Sequence, residues 1–112
     1  MVSSPDPAPQ LTVETAAVPG RIVVRAVGVL DLQTRDELLA AGAAALAVEP
    51  PATVALDLAD VSFLDSTGLG SLVSLNNTAR RTGRRFVLYR PTARISQLLQ
   101  LTALDTVLEV EA

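Results

Sequence analysis

The stretch VALDLADVSFLDSTGLGSLVSL, residues 54–75, decides the architecture. ATVALDL, residues 52–58, reads as a short strand with apolar residues on both faces, which suits a central place in a sheet. The hexapeptide DSTGLG, Asp65–Gly70, follows, and from it Leu69, Leu72, Val73 and Asn76 recur at helical spacing. The hexapeptide is therefore the turn from a central strand into a helix. In open α/β sheets that place, beyond the carboxyl end of a strand, is where ligands and partners are met. Asp65 or Ser66 suits the N-cap, where a side-chain oxygen accepts from an orphan backbone N–H.

Working outward, Pro50 and Pro51 end a helix expected from Arg35 to Ala47, on which Leu38, Leu39, Ala41, Ala45 and Leu46 repeat at helical spacing. Thr34 and Glu37 have the spacing of a capping box before it, and Gly42 interrupts its interior. Upstream, LTVETAAV and RIVVRAVG flank Pro19-Gly20, a hairpin signal with a type II turn. Downstream, Gly83 stands at a C-terminal cap, RFVLY reads as a strand, and Pro91 and Thr92 open a helix with Ile95, Leu98, Leu99 and Thr102 on one face. TVLEV is the last strand. The order is β-β-α-β-α-β-α-β, an α/β mixed sheet with helices packed on it. Residues 1–9 hold three prolines among polar neighbours and read as a flexible tail, leaving one domain over residues 10–112.

Composition excludes much chemistry. The 112 residues contain no cysteine and no histidine, and their nine basic residues are all arginine. That removes disulfides, thiolate nucleophiles, most zinc sites and every imidazole-based triad, and it denies a P-loop its lysine. The hexapeptide itself fits no enzyme pattern. An aspartic-protease reading finds an extra residue between Asp65 and Gly68 and lacks a second carboxylate, and a nucleophile elbow finds Leu64 where a glycine belongs. A net charge of −3 offers no field for a phosphate backbone, so direct nucleic-acid binding is not expected. MVSSPDPAPQ has neither a basic nor an apolar signal region, and no later run approaches the length of a membrane span. The expectation is a cytoplasmic protein without membrane association, cofactor or catalytic activity.

LDLADVSFLDSTGLGSLVSL closely resembles the signature of the STAS domain in bacterial anti-sigma factor antagonists, where D-S-[ST]-G-L-G follows a hydrophobic strand. GVLDLQTRDEL, residues 28–38, resembles the family's G-x-L-D stretch, and ISQLLQLTALDTVLEV, residues 95–110, its closing helix and strand. The three blocks stand in the family's order and cover the chain from about residue 10. The resemblance implies a regulator that binds an anti-sigma factor serine kinase and thereby releases a sigma factor. It implies phosphorylation of Ser66 by that kinase and reversal by a serine phosphatase, with Asp31 beside the phosphorylation loop. The partner surface expected on these grounds comprises Asp31, Asp65, Ser66, Thr67, Gly68 and Leu69, the last a core residue of the helix that its first turn leaves partly exposed. Two residues depart from the family's pattern: Val29 stands where an acid is common and Ala103 where a glycine is. A scaffold or transporter-accessory subunit in which Ser66 is never phosphorylated is the alternative on the same fold, and a hydrolase using Asp65 is the rival of another class.

Overall fold

The computed structural model describes residues 10–112; the flexible tail expected at residues 1–9 lies outside the described residues. Strands β1 (Leu11–Val18), β2 (Arg21–Leu30), β3 (Thr53–Leu64), β4 (Phe86–Tyr89) and β5 (Glu109–Glu111) form one sheet. Helices α1 (Arg35–Leu46), α2 (Ser66–Arg81) and α3 (Ala93–Leu101) connect its parallel part. The spatial order of the strands equals their order in sequence, with β1 antiparallel to β2 and every later pair parallel. The mixed sheet and its element order are those expected from the sequence. Three successive right-handed crossovers stepping the same way across a sheet place all three helices on one face. The burial pattern agrees. Ile22, Val24 and Ala26 of β2, Val54, Leu56 and Leu58 of β3, and Phe86 and Leu88 of β4 join Leu38, Leu72, Leu75, Ile95 and Leu99 of the helices in a single core.

The other face is bare of helices and covered by charge. Arg21 grips Glu111 with two bonds of 2.8 and 3.0 Å, Arg25 reaches Asp60 at 2.6 Å, Arg85 pairs with Glu109, and Arg90 pairs with Asp57 at 2.6 Å. Asp57 is buried on the central strand. Burial alone raises its pKa, but bonds from the Arg90 guanidinium and the Ala59 N–H outweigh that and leave it below the ordinary value. Bonds from Arg85 and Arg21 likewise lower Glu109 and Glu111. Ala55 and Val87 are buried on this face, and the Arg90 guanidinium lies 5.2 Å from the centroid of the Tyr89 ring.

Several boundaries differ from the sequence reading, each for a physical reason. β3 does not stop at Leu58 but runs on to Leu64 beside β2, which itself runs to Leu30. Register shifts between Arg25 and Val27 and between Gly28 and Val29 each give β3 an extra residue, so strict alternation is lost and Ser62 and Phe63 are both exposed. The capping box does not form. Thr34 sits at the N-cap of α1 with helical dihedrals and makes no side-chain cap bond; its hydroxyl instead donates to the Val29 carbonyl at 2.7 Å. The inward stripe of α2 is centred on Gly68, Ser71, Leu72, Leu75, Asn76 and Ala79, leaving Leu69 and Val73 at its margin. The last strand begins at Glu109 because Leu104–Thr106 coil into a 3-10 turn, with Leu108 N–H donating back to Leu104.

Other expectations hold in detail. Gly20 has φ +72°, as a type II turn requires. Gly83 has φ +69° and closes α2 in a Schellman motif, with Gly83 N–H donating to Arg80 and Arg84 N–H to Ala79. Gly42 is explained by packing: a Cβ there would fall 2.5 Å from Leu75 Cδ2, so the glycine lets α1 lie close against α2.

Candidate functional site

The parallel pairing of β2 with β3 ends at Leu30 opposite Leu64, so Asp31 and Asp65 leave the sheet side by side. The two loops are bonded together, with the Asp65 N–H donating to the Leu30 carbonyl at 3.3 Å. Gly68 completes the junction. It is buried against the same turn, and a Cβ on it would lie 2.5 Å from the Leu30 carbonyl oxygen and 3.1 Å from both Leu30 Cβ and Leu64 Cγ. Only a glycine lets the first turn of α2 rest on the end of β2.

Each acid is committed to backbone. The Asp31 carboxylate accepts from Gln33 N–H at 2.9 Å and Thr34 N–H at 3.1 Å, holding the β2–α1 loop. Asp65 is the N-cap of α2, in extended conformation, and accepts from Gly68 N–H at 2.9 Å. Of the two capping candidates it is thus Asp65 that caps, and Ser66 is the first helical residue, exposed, with its hydroxyl not spent on the cap. Thr67 and Leu69 are half-buried beside it.

All six residues singled out from the sequence, Asp31 and Asp65 to Leu69, therefore gather at the carboxyl ends of β2 and β3. Sequence reasoning missed their neighbours. Leu32, 69% exposed, follows Asp31, and Phe63, 49% exposed, precedes the turn into α2. The signal for Leu32 was its place immediately after the G-x-L-D stretch; Phe63 had none, because its outward direction depends on the β3 bulge. Arg35, at the start of α1, lines a groove with Thr67, Gly70, Ser71 and Ser74 of α2. Among the described residues no cluster of acids is placed to hold a metal ion, and no helix is long and apolar enough to cross a membrane.

A one-sided mixed sheet with two bonded loops at the carboxyl ends of its central strands is the class of domain these features define. A family profile described as "Mlab, STAS domain" matches residues 13–109. The chain belongs to the STAS domain family. The anti-sigma-B factor antagonist of Listeria monocytogenes is 34% identical over 56 residues, 50% of this chain and 49% of that protein; the chain spans about half the length of the curated relatives it matches. An anti-sigma factor antagonist from Mycobacterium paratuberculosis, solved as a crystal structure, is 28% identical, with 97% of this chain and 89% of that one covered and a TM-score of 0.77. The Bacillus cell fate determinant SpoIIAA in its phosphorylated form shares the fold at 21% identity and a TM-score of 0.65, with 91% of each chain covered.

Proposed function

We propose that this chain is a non-catalytic anti-sigma factor antagonist. With Ser66 unphosphorylated it binds an anti-sigma factor serine kinase and frees the sigma factor; phosphorylated on Ser66 it lets the kinase go, and a serine phosphatase restores it. The observation that carries this reading is the division of labour at the loop: Asp65 holds the helix start while Ser66, next to it, presents an exposed hydroxyl. The likeness to the Listeria and Mycobacterium antagonists supports the partner class, and the phosphorylated Bacillus protein supports the chemistry. In the transfer, the Ser66 oxygen bonds the γ-phosphorus of ATP, ADP leaves, and the hydroxyl proton passes to a base on the kinase.

On this reading Asp31, Asp65, Thr67 and Leu69 touch the partner around Ser66, Leu32 and Phe63 supply apolar contact at the rim, and Gly68 acts from beneath by letting the two loops close. A phosphate adds about −1.5 to −2 charge to this surface. Burying it without a counter-charge from the partner has an effective penalty of several kcal/mol, so affinity falls at least roughly a hundredfold.

The test is intact-mass analysis after incubation with ATP and the cognate kinase, followed by calorimetric titration of both forms. A single phosphate mapping to Ser66, and a phosphoform that binds at least roughly a hundredfold more weakly, are expected. Equal affinities for the two forms overturn the switch. Hydrolase turnover by the purified chain that disappears on Asp65→Ala overturns the non-catalytic reading.

A further inference from the structure

The two glycines of the hexapeptide do different things. Gly68 is a packing necessity, whereas a Cβ on Gly70 would meet nothing within 4 Å. Gly70 is an ordinary exposed residue of α2, where glycine is disfavoured against alanine, and no close approach calls for it. A helical side chain covers the surface one turn N-terminal to its own Cα, so the absence of a side chain at Gly70 leaves the surface over Ser66 and Thr67 uncovered. That bare patch opens into the groove of about 310 Å³ whose far wall is Arg35.

Arg35 is placed unlike the arginines of the open sheet face. Arg21, Arg25, Arg85 and Arg90 are all paired with carboxylates there, but among the described residues no carboxylate lies within ion-pair distance of Arg35. Arg80, Arg81 and Arg94 are unpaired as well, but of these arginines Arg35 alone lines the groove. The two acids of the adjoining loops each spend one carboxylate oxygen on backbone N–H groups, Asp31 on Gln33 and Thr34, and Asp65 on Gly68. The groove between Arg35 and α2 is otherwise lined by hydroxyls, those of Thr67, Ser71 and Ser74, with Ser71 buried and its hydroxyl donating to the Thr67 carbonyl. A cavity walled by an unpaired guanidinium and hydroxyl groups, and opening beside a serine, is complementary to an oxyanion attached to that serine.

We propose that Arg35 is the in-chain counter-charge for a phosphoryl group on Ser66, and that Gly70 is the residue that leaves room for the two to meet. This rests on the proposed phosphorylation of Ser66 and adds its consequence: the phosphate both charges the partner surface and fills the groove between α1 and α2. One guanidinium offsets only part of a charge of about −1.5 to −2, so the modified loop stays anionic, and any partner group that had used Arg35 or the groove finds it occupied.

The experiment needs no kinase. Phosphoserine is incorporated at position 66 by codon suppression into the full chain, and the phosphate is titrated by phosphorus NMR in the parent, Arg35→Gln, Arg35→Lys and Gly70→Val backgrounds. If the two groups pair, Coulomb attraction at an assumed separation of about 5 Å with water-like screening lowers the second phosphate pKa by roughly 0.6 unit, so the parent is expected to titrate that much below Arg35→Gln. Arg35→Lys retains part of the shift, and Gly70→Val loses it with Arg35 intact because the groove is filled. Circular dichroism and melting of the unphosphorylated variants control for folding, with Arg35→Lys keeping the test readable if Arg35→Gln is poorly folded. A phosphate that titrates identically in the parent, Arg35→Gln and Arg35→Lys overturns the pairing, and one that shifts with Arg35 but is indifferent to Gly70→Val overturns the role of Gly70. Absence of kinase-dependent phosphorylation of Ser66, by contrast, refutes the functional reading and leaves this electrostatic result unaffected.

Discussion

Alanine substitution at Gly68 and at Gly70, two positions apart on one helix, is expected to have opposite signs. At Gly68 the new Cβ lands 2.5 Å from the Leu30 carbonyl oxygen, where ordinary contacts begin near 3.4 Å, so backbone must retreat by roughly 1 Å. The oxygen cannot swing aside, because it belongs to main chain and accepts the bond from Asp65 N–H that ties the two loops together. Overpacking of this kind costs about 1–3 kcal/mol, and a clash with fixed main chain belongs in the upper part of that range, about 2–3; the gain in helix propensity returns up to about 1, leaving a net loss of about 1–2 kcal/mol. At Gly70 the methyl enters open space on a helical backbone and only the propensity gain remains, about 0.5–1 kcal/mol in favour. The two variants should therefore differ by about 1.5–3 kcal/mol, read as urea midpoints at constant m-value or as melting temperatures about 6–12 °C apart at roughly 4 °C per kcal/mol. A Gly68→Ala protein as stable as the parent refutes the close-approach account. Equal destabilisation at both positions shows that the glycines share a backbone requirement and that the difference in free space between them is irrelevant.

Asp65→Ala removes the cap of α2 and should lower stability by about 1 kcal/mol in urea unfolding, whereas Ser66→Ala, which removes no cap bond, should change it by less than about 0.5. Ala103 holds φ +58°, a left-handed conformation that glycine adopts without penalty, so Ala103→Gly should raise the urea midpoint by the equivalent of about 0.5–1 kcal/mol. The folded-state pKa values of Asp57, Glu109 and Glu111 are depressed, so the stability they contribute is complete above their unfolded values of 3.8 and 4.5 and is lost as pH falls through the folded ones. Melting temperature should accordingly be flat from neutrality to about pH 5 and fall below it, and Asp57→Asn should flatten the most acid part of that decline.

What could be read in the sequence was what short-range chemistry dictates. Pro19-Gly20 fixes a hairpin by its own dihedrals, Thr92 and Gly83 mark helix ends by their own bonds, and the apolar run at Val54 identifies the central strand by composition. The failures involve residues whose behaviour is set by partners outside the short motif being read. The strand read from the sequence ends at Leu58, yet β2 supplies the partner that keeps β3 extended to Leu64. Thr34 and Glu37 have the spacing of a capping box, but the preceding Asp31 takes the Thr34 N–H and the Val29 carbonyl takes the Thr34 hydroxyl. The site was legible only in part for the same cause. Asp65 to Leu69 are contiguous, and Asp31 entered through a family likeness; Phe63, Leu32 and Arg35 join them only because Leu30 pairs with Leu64.

The placement of the cap decides what kind of switch the loop can be. Had Ser66 been the N-cap, its oxygen would hold a helical N–H, and esterifying that oxygen would disturb the start of α2; modification would then act by loosening the domain. Asp65 takes that bond instead, and Gly68 and Leu30 hold the loop from beneath, so the groups that fix the loop and the hydroxyl that would be modified are separate. A phosphate on Ser66 breaks no bond of the fold and sits at a helix N-terminus, where negative charge favours the helix by about 0.3–1 kcal/mol. Under the proposed reading, a phosphoform must therefore lose its partner while keeping its melting temperature. The scaffold alternative requires the same independence of fold from Ser66 but no loss of binding, and so the affinity measurement, rather than the stability measurement, separates them.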